Sequence, residues 1–261
     1  MRPLRVMFDR KWIQQMFFKE KRIERAIDVH CHILPAVDDG AKDERESLDM
    51  LRIAAAEGIT DMIVTPHYKA WHRNASVETI QKRIQALQEA ADRNHIRVSL
   101  HPGNEIFYFD ELEERLEKNE VFSLNHTDRV LIEFTPTDDY TYLRNSLDQV
   151  RAMGYIPILA HAERYECLLR DSKRVRELKQ LDVEIQINAS SVVGKLGGKV
   201  QQFVCRILKE KLVDYIGTDA HDTEHRAPQV QQCYSKLYHK LETEYLHDIF
   251  YRNALKIIDA E

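Results

Sequence analysis

The sequence lacks the features that mark secreted, membrane-spanning or nucleic-acid-binding proteins. Its 261 residues include four widely scattered cysteines, none of which forms a Cys-x-x-Cys pair. Disulfide scaffolds are short and dense in cysteine, so this usage favours a reduced, cytoplasmic protein. No apolar run approaches the roughly 20 residues that cross a bilayer. The net charge of −5 gives no basic excess that would favour nucleic acid.

The chain also lacks low-complexity segments, repeats of solenoid period and any recognisable linker. Its composition, with 43% apolar and 31% charged residues, is ordinary for a globular protein with one large core. We therefore predict a single domain over residues 27–261. We predict that residues 1–26 form a basic N-terminal extension, whose role is unknown. These residues lack the apolar core and the small-residue cleavage site of a signal peptide, so we do not interpret them as one.

Short β-rich runs alternate with longer amphipathic stretches along this domain. The seven runs lie at residues 26–30, 59–65, 97–103, 129–134, 155–160, 183–188 and 213–218. The helical stretches lie at residues 44–57, 76–93, 140–153, 172–181, 198–210 and 229–242. The runs are apolar almost throughout, as expected for parallel strands that are covered on both faces. Seven strand–helix units in one chain predict an α/β barrel rather than an open sheet.

Ionisable residues gather at the C-terminal ends of six of the seven predicted strands. They are His30 and His32, then His67, Glu105, Glu133 and His161, and finally Asp219 and His221. In parallel barrels the loops that follow the strands converge at that end, where active sites lie. Burying so many ionisable groups without a cation would be costly. Imidazoles and carboxylates suit Zn²⁺, Mn²⁺ or Fe²⁺, and the number of ligands implies two or three ions.

Two arginines follow the predicted metal-binding residues. Arg164 comes three residues after His161, and Arg226 comes five residues after His221. A planar guanidinium binds phosphate oxygens in a bidentate way, so two arginines beside a metal cluster favour an anionic substrate. Four carboxylates, three divalent ions and two arginines would leave a site charge of about +4, which attracts a phosphate dianion.

None of the four cysteines fits the motif of a thiol phosphatase. That chemistry needs an arginine six residues after the cysteine, so that its guanidinium holds the phosphate beside a thiolate. The residues at that position are Val37, Lys173, Lys211 and His239. Cys31 lies between His30 and His32, and in a strand it would point to the opposite face. The pattern therefore favours metal chemistry over a cysteine nucleophile.

Six motifs, found in order along residues 27–261, resemble one family of bacterial enzymes. They are DVHCHILPAVDDG at 28–40, TPH at 65–67, GNEI at 103–106, LIEF at 131–134, AHAERY at 160–165 and TDAH at 218–221. Together they resemble the manganese-dependent protein tyrosine phosphatases of the PHP (polymerase and histidinol phosphatase) superfamily. These phosphatases are paired with tyrosine kinases that control capsular and exopolysaccharide synthesis. The patterns His-x-x-Arg-Tyr and Asp-x-His-x4-Arg make the resemblance specific.

The resemblance implies a distorted (β/α)7 barrel with a trinuclear metal site. The implied ligand sets are His30, His32, Glu105 and Asp219 for one ion, Glu105, Glu133 and His161 for a second, and Asp39, His67 and His221 for a third. Asp38 is the alternative to Asp39, and Asp28 would orient a histidine ligand. Arg164 and Arg226 match the phosphate-binding arginines of the family. The expected ion is Mn²⁺, with Fe²⁺, Co²⁺ and Zn²⁺ as alternatives.

The resemblance also implies an activity and a partner. A hydroxide that bridges two metals would attack the phosphorus of phosphotyrosine, and the arginines would stabilise the transition state. The implied partner is a phosphotyrosine protein, such as a membrane-associated bacterial tyrosine kinase of capsule synthesis. We expect a cytoplasmic protein without a transmembrane segment and without nucleic acid as a partner. A homo-oligomer is left open.

Three other functions are alternatives at this point. A PHP phosphatase could act on a small ester such as histidinol phosphate or on nucleic acid, although the acidic net charge disfavours a nuclease. An amidohydrolase would need a carboxylated lysine at a strand end, and the seven runs supply none. A non-catalytic adaptor of a tyrosine kinase is disfavoured because every expected ligand is present.

Overall fold

Nine parallel strands form the centre of the computed structural model, which describes residues 21–259. They are β1 (Ala26–Cys31), β2 (Ile59–Val64), β3 (His67–Tyr68), β4 (Ser99–Pro102), β5 (Glu105–Phe107), β6 (Arg129–Glu133), β7 (Ile156–Leu159), β8 (Glu184–Asn188) and β9 (Tyr215–Gly217). Beyond two of the seven predicted runs the chain forms a further short strand, β3 after β2 and β5 after β4, so these two strand segments are divided. Most of the predicted N-terminal extension, residues 1–20, lies outside the described residues, and the division into an extension and a domain stays a prediction.

The seven strand segments follow one another around a ring in chain order. One sheet has the order β1-β2-β4, and the other has the order β3-β5-β6-β7-β8-β9. The ring closes between β1 and β9. There the backbone amide of His32 donates to Ala220 O, and the amide of Asp219 donates to His30 O, each over 2.8 Å. The predicted distorted (β/α)7 barrel is confirmed, with its distortion at the two divided segments.

Eleven α-helices alternate with the strands over the described residues. They are α1 (Glu44–Ala56), α2 (Val77–Arg93), α3 (Leu112–Glu117), α4 (Tyr140–Ala152), α5 (Glu166–Arg170), α6 (Lys173–Gln180), α7 (Ala189–Val193), α8 (Gly198–Lys209), α9 (Gln231–Tyr238), α10 (Thr243–His247) and α11 (Asn253–Ile258). Leu124–His126 and Ala162–Arg164 are 3-10 turns, and Asp248–Arg252 is a π-helical segment. Asp43, Ser76 and Asp139 each accept a hydrogen bond from an amide three residues later, which satisfies a free donor where α1, α2 and α4 begin. Among residues 21–259, no helix has the length and apolar character that crossing a membrane requires.

Two apolar clusters hold the barrel together. The larger one lies between the strands and the helices and includes Cys31, which is fully buried. The smaller one includes Val29, Leu131, Ile158 and, from α11, Ile257. Because side chains alternate along a strand, Leu131 shares a face of the sheet with Glu133, two positions later on β6. The smaller cluster therefore supports the site from inside the barrel, and Cys31 lies on the other side.

Candidate metal centre

The nine side chains predicted as metal ligands lie together at the C-terminal end of the barrel. They are His30 and His32 at the end of β1, Asp39 in the following loop, His67 on β3, Glu105 on β5, Glu133 on β6, His161 after β7, and Asp219 and His221 after β9. Seven of them are buried, whereas His67 is partly exposed and the Asp39 side chain is 65% exposed. The cluster is therefore open to solvent on the side of Asp39.

The first group of atoms comes from His30, His32, Glu105 and Asp219. The two Nε2 atoms of His30 and His32 are 3.2 Å apart. They lie 3.2 Å and 3.1 Å from Glu105 Oε2, and both lie 3.6 Å from Asp219 Oδ1. Two ligand atoms that are each about 2.1 Å from one ion, at tetrahedral or octahedral angles, are roughly 3.0–3.5 Å apart. The spacing in this group is therefore close to that of four ligands around a single ion.

The second group is built around two carboxylates. Glu105 Oε1 lies 2.8 Å from His161 Nε2, and Glu133 Oε2 lies 3.8 Å from the same nitrogen. His67 Nδ1 faces the other oxygens, at 3.0 Å from Glu105 Oε2 and 3.3 Å from Glu133 Oε1. The structure thus brings Glu105, Glu133 and His161 together and adds His67 on the opposite side of the carboxylates. Glu105 belongs to both the first and the second group.

The third group separates the roles of the two neighbouring aspartates. Asp39 Oδ1 lies 3.3 Å from His67 Nε2 and 3.5 Å from His221 Nε2. Asp38 turns away from these rings, and its Oδ2 accepts hydrogen bonds from His32 Nδ1 over 2.7 Å and from the His67 amide over 3.0 Å. Asp39 therefore faces the Nε2 atoms of His67 and His221, whereas Asp38 binds the Nδ1 atom of His32, which points away from the cluster.

The unpaired atoms of the cluster fit divalent cations. Within residues 21–259, four buried atoms that face it lie within 3.5 Å of another ligand-type atom but form no well-aligned hydrogen bond, namely His67 Nδ1, Glu105 Oε2, Glu133 Oε1 and His221 Nε2. In addition, His30 and His32 each present Nδ1 to an oxygen acceptor, so that their Nε2 lone pairs would face each other once the rings are neutral. A cation between these atoms would satisfy all of them, and nitrogen and oxygen donors are the ligands that divalent transition metals accept.

Electrostatic coupling within the cluster is strong. Burial opposes protonation of His32, but its hydrogen bonds to Asp38 and Glu105 raise the pKa of its imidazole to about 9. Burial likewise opposes protonation of His67, whose contacts with Asp39 and Glu105 raise its pKa to about 12. Hydrogen bonds from His221 and His67 hold the pKa of the Asp39 carboxyl far below its usual range. The Asp39 carboxylate is therefore charged at neutral pH, and a cation would displace protons from the imidazoles of His32 and His67.

Arg164 and Arg226 converge on one carboxylate at the side of the cluster. Arg164 Nη2 donates to Asp219 Oδ2, and Arg226 Nη2 donates to Asp219 Oδ1 over 2.7 Å. Both arginines line a cavity of about 440 Å³, whose wall also includes Thr218 and the half-exposed Leu196. The two guanidinium groups thus lie beside the cluster and next to a space large enough for a small ligand.

Comparison with known proteins places the chain in a family. A family model described as "Capsular polysaccharide synthesis, CpsB/CapC" matches residues 26–259. The chain belongs to the CpsB/CapC family.

Named relatives of this CpsB/CapC family member cover most of its length. It is 34% identical over 214 residues to "Tyrosine-protein phosphatase YwqE" of Bacillus subtilis (strain 168), a match that covers 79% of this chain and 82% of that protein. It is 31% identical over 237 residues to "Tyrosine-protein phosphatase CpsB" of Streptococcus pneumoniae, covering 89% and 98%. A solved structure from a study of YwqE and CpsB as "unique metal-dependent tyrosine phosphatases" matches with a TM-score of 0.84 at 29% identity, over 90% of this chain and 95% of that chain.

Two of the predicted ligands, His161 and Asp219, lie on unusual backbone. His161 has φ 32° and Asp219 has φ 53°, both in the left-handed region, which residues other than glycine seldom adopt. The turn after His161 is tied down by Glu163, whose buried Oε1 accepts from the Asn188 amide over 2.9 Å and from Ser191 Oγ over 2.7 Å. Tertiary contacts therefore hold the turn that positions His161.

Sequence reasoning missed two polar residues on β8, the one of the seven strand segments without a predicted ligand. Gln186 Oε1 accepts from the His161 amide over 2.7 Å and lies 3.1 Å from His30 Nδ1. Asn188 Nδ2 donates to Asp219 Oδ2 over 2.9 Å. The available signal was the alternation of polar and apolar residues in EIQIN, which aims both amides at the same face as the ligands.

Asp28 was expected to orient the imidazole of a histidine ligand, but in the structure it contacts backbone amides instead. Its Oδ1 accepts hydrogen bonds from the backbone amides of His30, over 3.2 Å, and Thr218, over 2.9 Å. It therefore fastens β1 to the end of β9 through the backbone, and Gln186 rather than Asp28 contacts the imidazole of His30.

Proposed function

We propose that this CpsB/CapC family member is a metal-dependent phosphatase that hydrolyses phosphotyrosine in proteins. The observation that carries the proposal is the cluster of five histidines and four carboxylates beside two convergent arginines. Relatives that cover most of the chain are named tyrosine-protein phosphatases, which supports the same activity. A membrane-associated tyrosine kinase of capsule synthesis is the proposed partner, in line with the family description.

The proposed ligand assignment follows the spacing of the side chains. One ion would bind His30, His32, Glu105 and Asp219, a second would bind Glu105, Glu133 and His161, and a third would bind Asp39, His67 and His221. The contacts of Asp39 with His67 and His221 support Asp39 over Asp38 as a ligand. Mn²⁺ is the proposed ion, and Fe²⁺, Co²⁺ and Zn²⁺ accept the same donors. When bound, such ions lower the pKa of a water molecule and neutralise charge on phosphate oxygens.

Arg164 and Arg226 are proposed to bind the phosphate group. A guanidinium has five N–H donors, and each arginine uses one of them on Asp219. The remaining donors adjoin the cavity, where a phosphate beside the cluster would accept them. Donors fixed in this way stabilise the charge that develops on the transferring phosphoryl group.

The ionisation of the site supports an aryl phosphate as the substrate. Hydrogen bonds and nearby histidines keep the pKa of Asp39, Glu105 and Asp219 below the usual range, although burial opposes this for the two buried carboxyls. These three groups are therefore charged at neutral pH and have no proton to give to a leaving group. Phenolate, with a parent pKa of about 10, leaves without a proton more readily than a serine alkoxide does.

The test is a comparison of three substrates on one preparation. Protein that has been stripped with a chelator and reloaded with Mn²⁺ is assayed on a phosphotyrosine peptide, a phosphoserine peptide of the same sequence and histidinol phosphate. We expect the highest kcat/KM on the phosphotyrosine peptide, and no turnover before reloading. Preference for histidinol phosphate would replace the proposal by the small-ester alternative. Full activity in the stripped protein would show that the reaction does not need a metal ion.

A further inference from the structure

We infer that Gln186 and Asn188 on β8 are positioning residues that orient three proposed metal ligands, namely His30 and Asp219 of the first ion and His161 of the second. Both side chains are buried, with 0% and 2% exposure, and neither is a ligand itself. We call this pair the amide relay. The inference rests on the proposed metal site and extends it to a strand to which no role has been given.

The amide relay reaches ligands that come from three different parts of the ring. Gln186 Oε1 contacts His30 at the end of β1 and the backbone of His161 after β7. Gln186 Nε2 donates to Asn188 Oδ1 over 2.8 Å, and Asn188 Nδ2 donates to Asp219 after β9. One pair of side chains thus connects the ligand-bearing ends of the segments on either side of β8 and of the segment that closes the ring.

The direction of these hydrogen bonds is fixed from one end to the other. The backbone amide of His161 can only donate, so the Gln186 atom that faces it must be the oxygen. The other end of Gln186 is then the NH₂ group, which donates to Asn188 Oδ1. The NH₂ group of Asn188 therefore faces Asp219. Flipping either amide would place two acceptors or two donors face to face.

This direction sets the tautomer of His30. The Gln186 oxygen lies 3.1 Å from His30 Nδ1, so that nitrogen must carry the proton. The lone pair is then on Nε2, the atom that lies 3.2 Å from Glu105 Oε2 and 3.6 Å from Asp219 Oδ1. A second partner that fixes the ring and its tautomer is what a histidine ligand needs for tight metal binding.

The same oxygen also holds His161 in its left-handed conformation. The amide of His161 is buried, and Gln186 is the acceptor that it contacts. The space around Gln186 leaves it little freedom, because a Cβ on Gly217 would lie 2.8 Å from Gln186 Nε2 and 3.0 Å from His30 Cβ. The absence of a side chain at Gly217 thus lets the amide relay pass between β9 and His30.

The test removes the hydrogen bonds while keeping the volume. Gln186→Met and Asn188→Leu are compared with wild type for Mn²⁺ stoichiometry and affinity, and for the visible spectrum of the Co²⁺-loaded protein. We expect one class of metal sites to bind roughly 10- to 100-fold more weakly in both variants, with an altered Co²⁺ spectrum. Metal binding is measured without substrate, so the measured Mn²⁺ affinity does not depend on whether the protein is a phosphatase.

Gln231→Met is the matched control. Gln231 Nε2 donates to the backbone oxygens of Ile23 and Glu57, away from the cluster. Its loss should lower the Tm but leave Mn²⁺ affinity and the Co²⁺ spectrum as in wild type. If Gln186→Met does not fold, Asn188→Leu carries the test through Asp219.

Two outcomes separate this inference from the proposed function. Folded relay variants with wild-type Mn²⁺ affinity and an unchanged Co²⁺ spectrum would overturn the relay, even if the wild type hydrolyses phosphotyrosine. Wild-type protein that binds Mn²⁺ but has no phosphatase activity would overturn the proposed function and leave the relay standing if the variants bind the metal weakly.

Discussion

At the scale of single residues, the two adjacent aspartates of the β1 loop illustrate how one position changes a role. Asp39 faces the nitrogens of His67 and His221, whereas Asp38 accepts a hydrogen bond from the opposite nitrogen of His32. Sequence motifs could not separate them, because the direction of each side chain depends on the path of the loop. Alanine substitutions at the two positions should therefore have different effects.

We predict that Asp39→Ala lowers the metal stoichiometry and that Asp38→Ala does not. Losing a ligand should reduce kcat/KM on a phosphotyrosine peptide by roughly 10³-fold or more, since several kcal/mol of stabilisation depend on the ion. Losing the partner of His32 should cost roughly 10- to 100-fold in metal affinity at unchanged stoichiometry. Elemental analysis and steady-state kinetics measure both effects. The opposite pattern would make Asp38 the ligand.

Arg164 provides a second prediction at this scale. Arg164→Ala should lower kcat/KM by about 10²- to 10³-fold, because it removes donors that stabilise the transferring phosphoryl group. Arg164→Lys keeps the charge but loses the planar fork, so it should recover only part of the rate. Metal content serves as the control, since Arg164 also contacts Asp219. Unchanged kcat/KM in Arg164→Ala would show that Arg164 does not bind the phosphate group of the substrate.

At the scale of elements, the turn after β1 packs backbone against backbone. A Cβ on Gly40 would lie 2.0 Å from His32 O and 2.7 Å from His32 Cβ. The same turn carries Asp38, whose Oδ1 accepts from the Gly40 amide over 3.0 Å. Gly40 therefore allows the close approach that brings Asp38 to the imidazole of His32.

We predict that Gly40→Ala destabilises the protein by about 1–3 kcal/mol, as overpacking usually does, and weakens metal binding. The turn must move away from β1, and Asp38 moves with it. Gly198→Ala is the matched control, because a Cβ there meets nothing within 4 Å and Gly198 begins α8. Thermal unfolding and Mn²⁺ titration of both variants provide the comparison, and equal behaviour would show that the turn tolerates a side chain.

The regular elements of the barrel could be predicted from the sequence because their patterns are long. All seven strand segments and the six longer helices lie where periodicity placed them, whereas short helices such as Glu166–Arg170 and Ala189–Val193 have too few residues for a period. The predicted ligands converge because parallel strands end on one side. The left-handed backbone at His161 and the direction of Gln186 depend on contacts between distant segments, which no local pattern records.

At the scale of the whole molecule, the proposed ions would link segments around the ring. The candidate ligands come from six of the seven strand segments, and the sheet is divided at two of them. Ions bound to the folded state but not to the unfolded chain would therefore stabilise the barrel as well as the reaction. A ligand present at 100 times its Kd adds about 2.7 kcal/mol.

Metal removal should consequently lower the Tm, by about 5–10 °C for a chain of this size at that ratio of metal to Kd.

The size of this decrease in Tm should depend on pH. Hydrogen bonds to carboxylates outweigh burial and raise the pKa of His32 to about 9, above the unfolded value of about 6.5. Protonated His32 thus stabilises the metal-free protein below pH 6.5, and this stabilisation is lost as the pH rises to 9.

Mn²⁺ must displace that proton, so its stabilising effect should be larger at pH 8 than at pH 6. Differential scanning calorimetry of chelator-treated and Mn²⁺-loaded protein at the two pH values measures the difference. Ca²⁺ is the control ion, because it prefers oxygen ligands and should bind poorly to a cluster with five imidazoles. Equal shifts in Tm at pH 6 and pH 8 would mean that the bound metal does not compete with protons on the histidines, and would remove them from the ligand set.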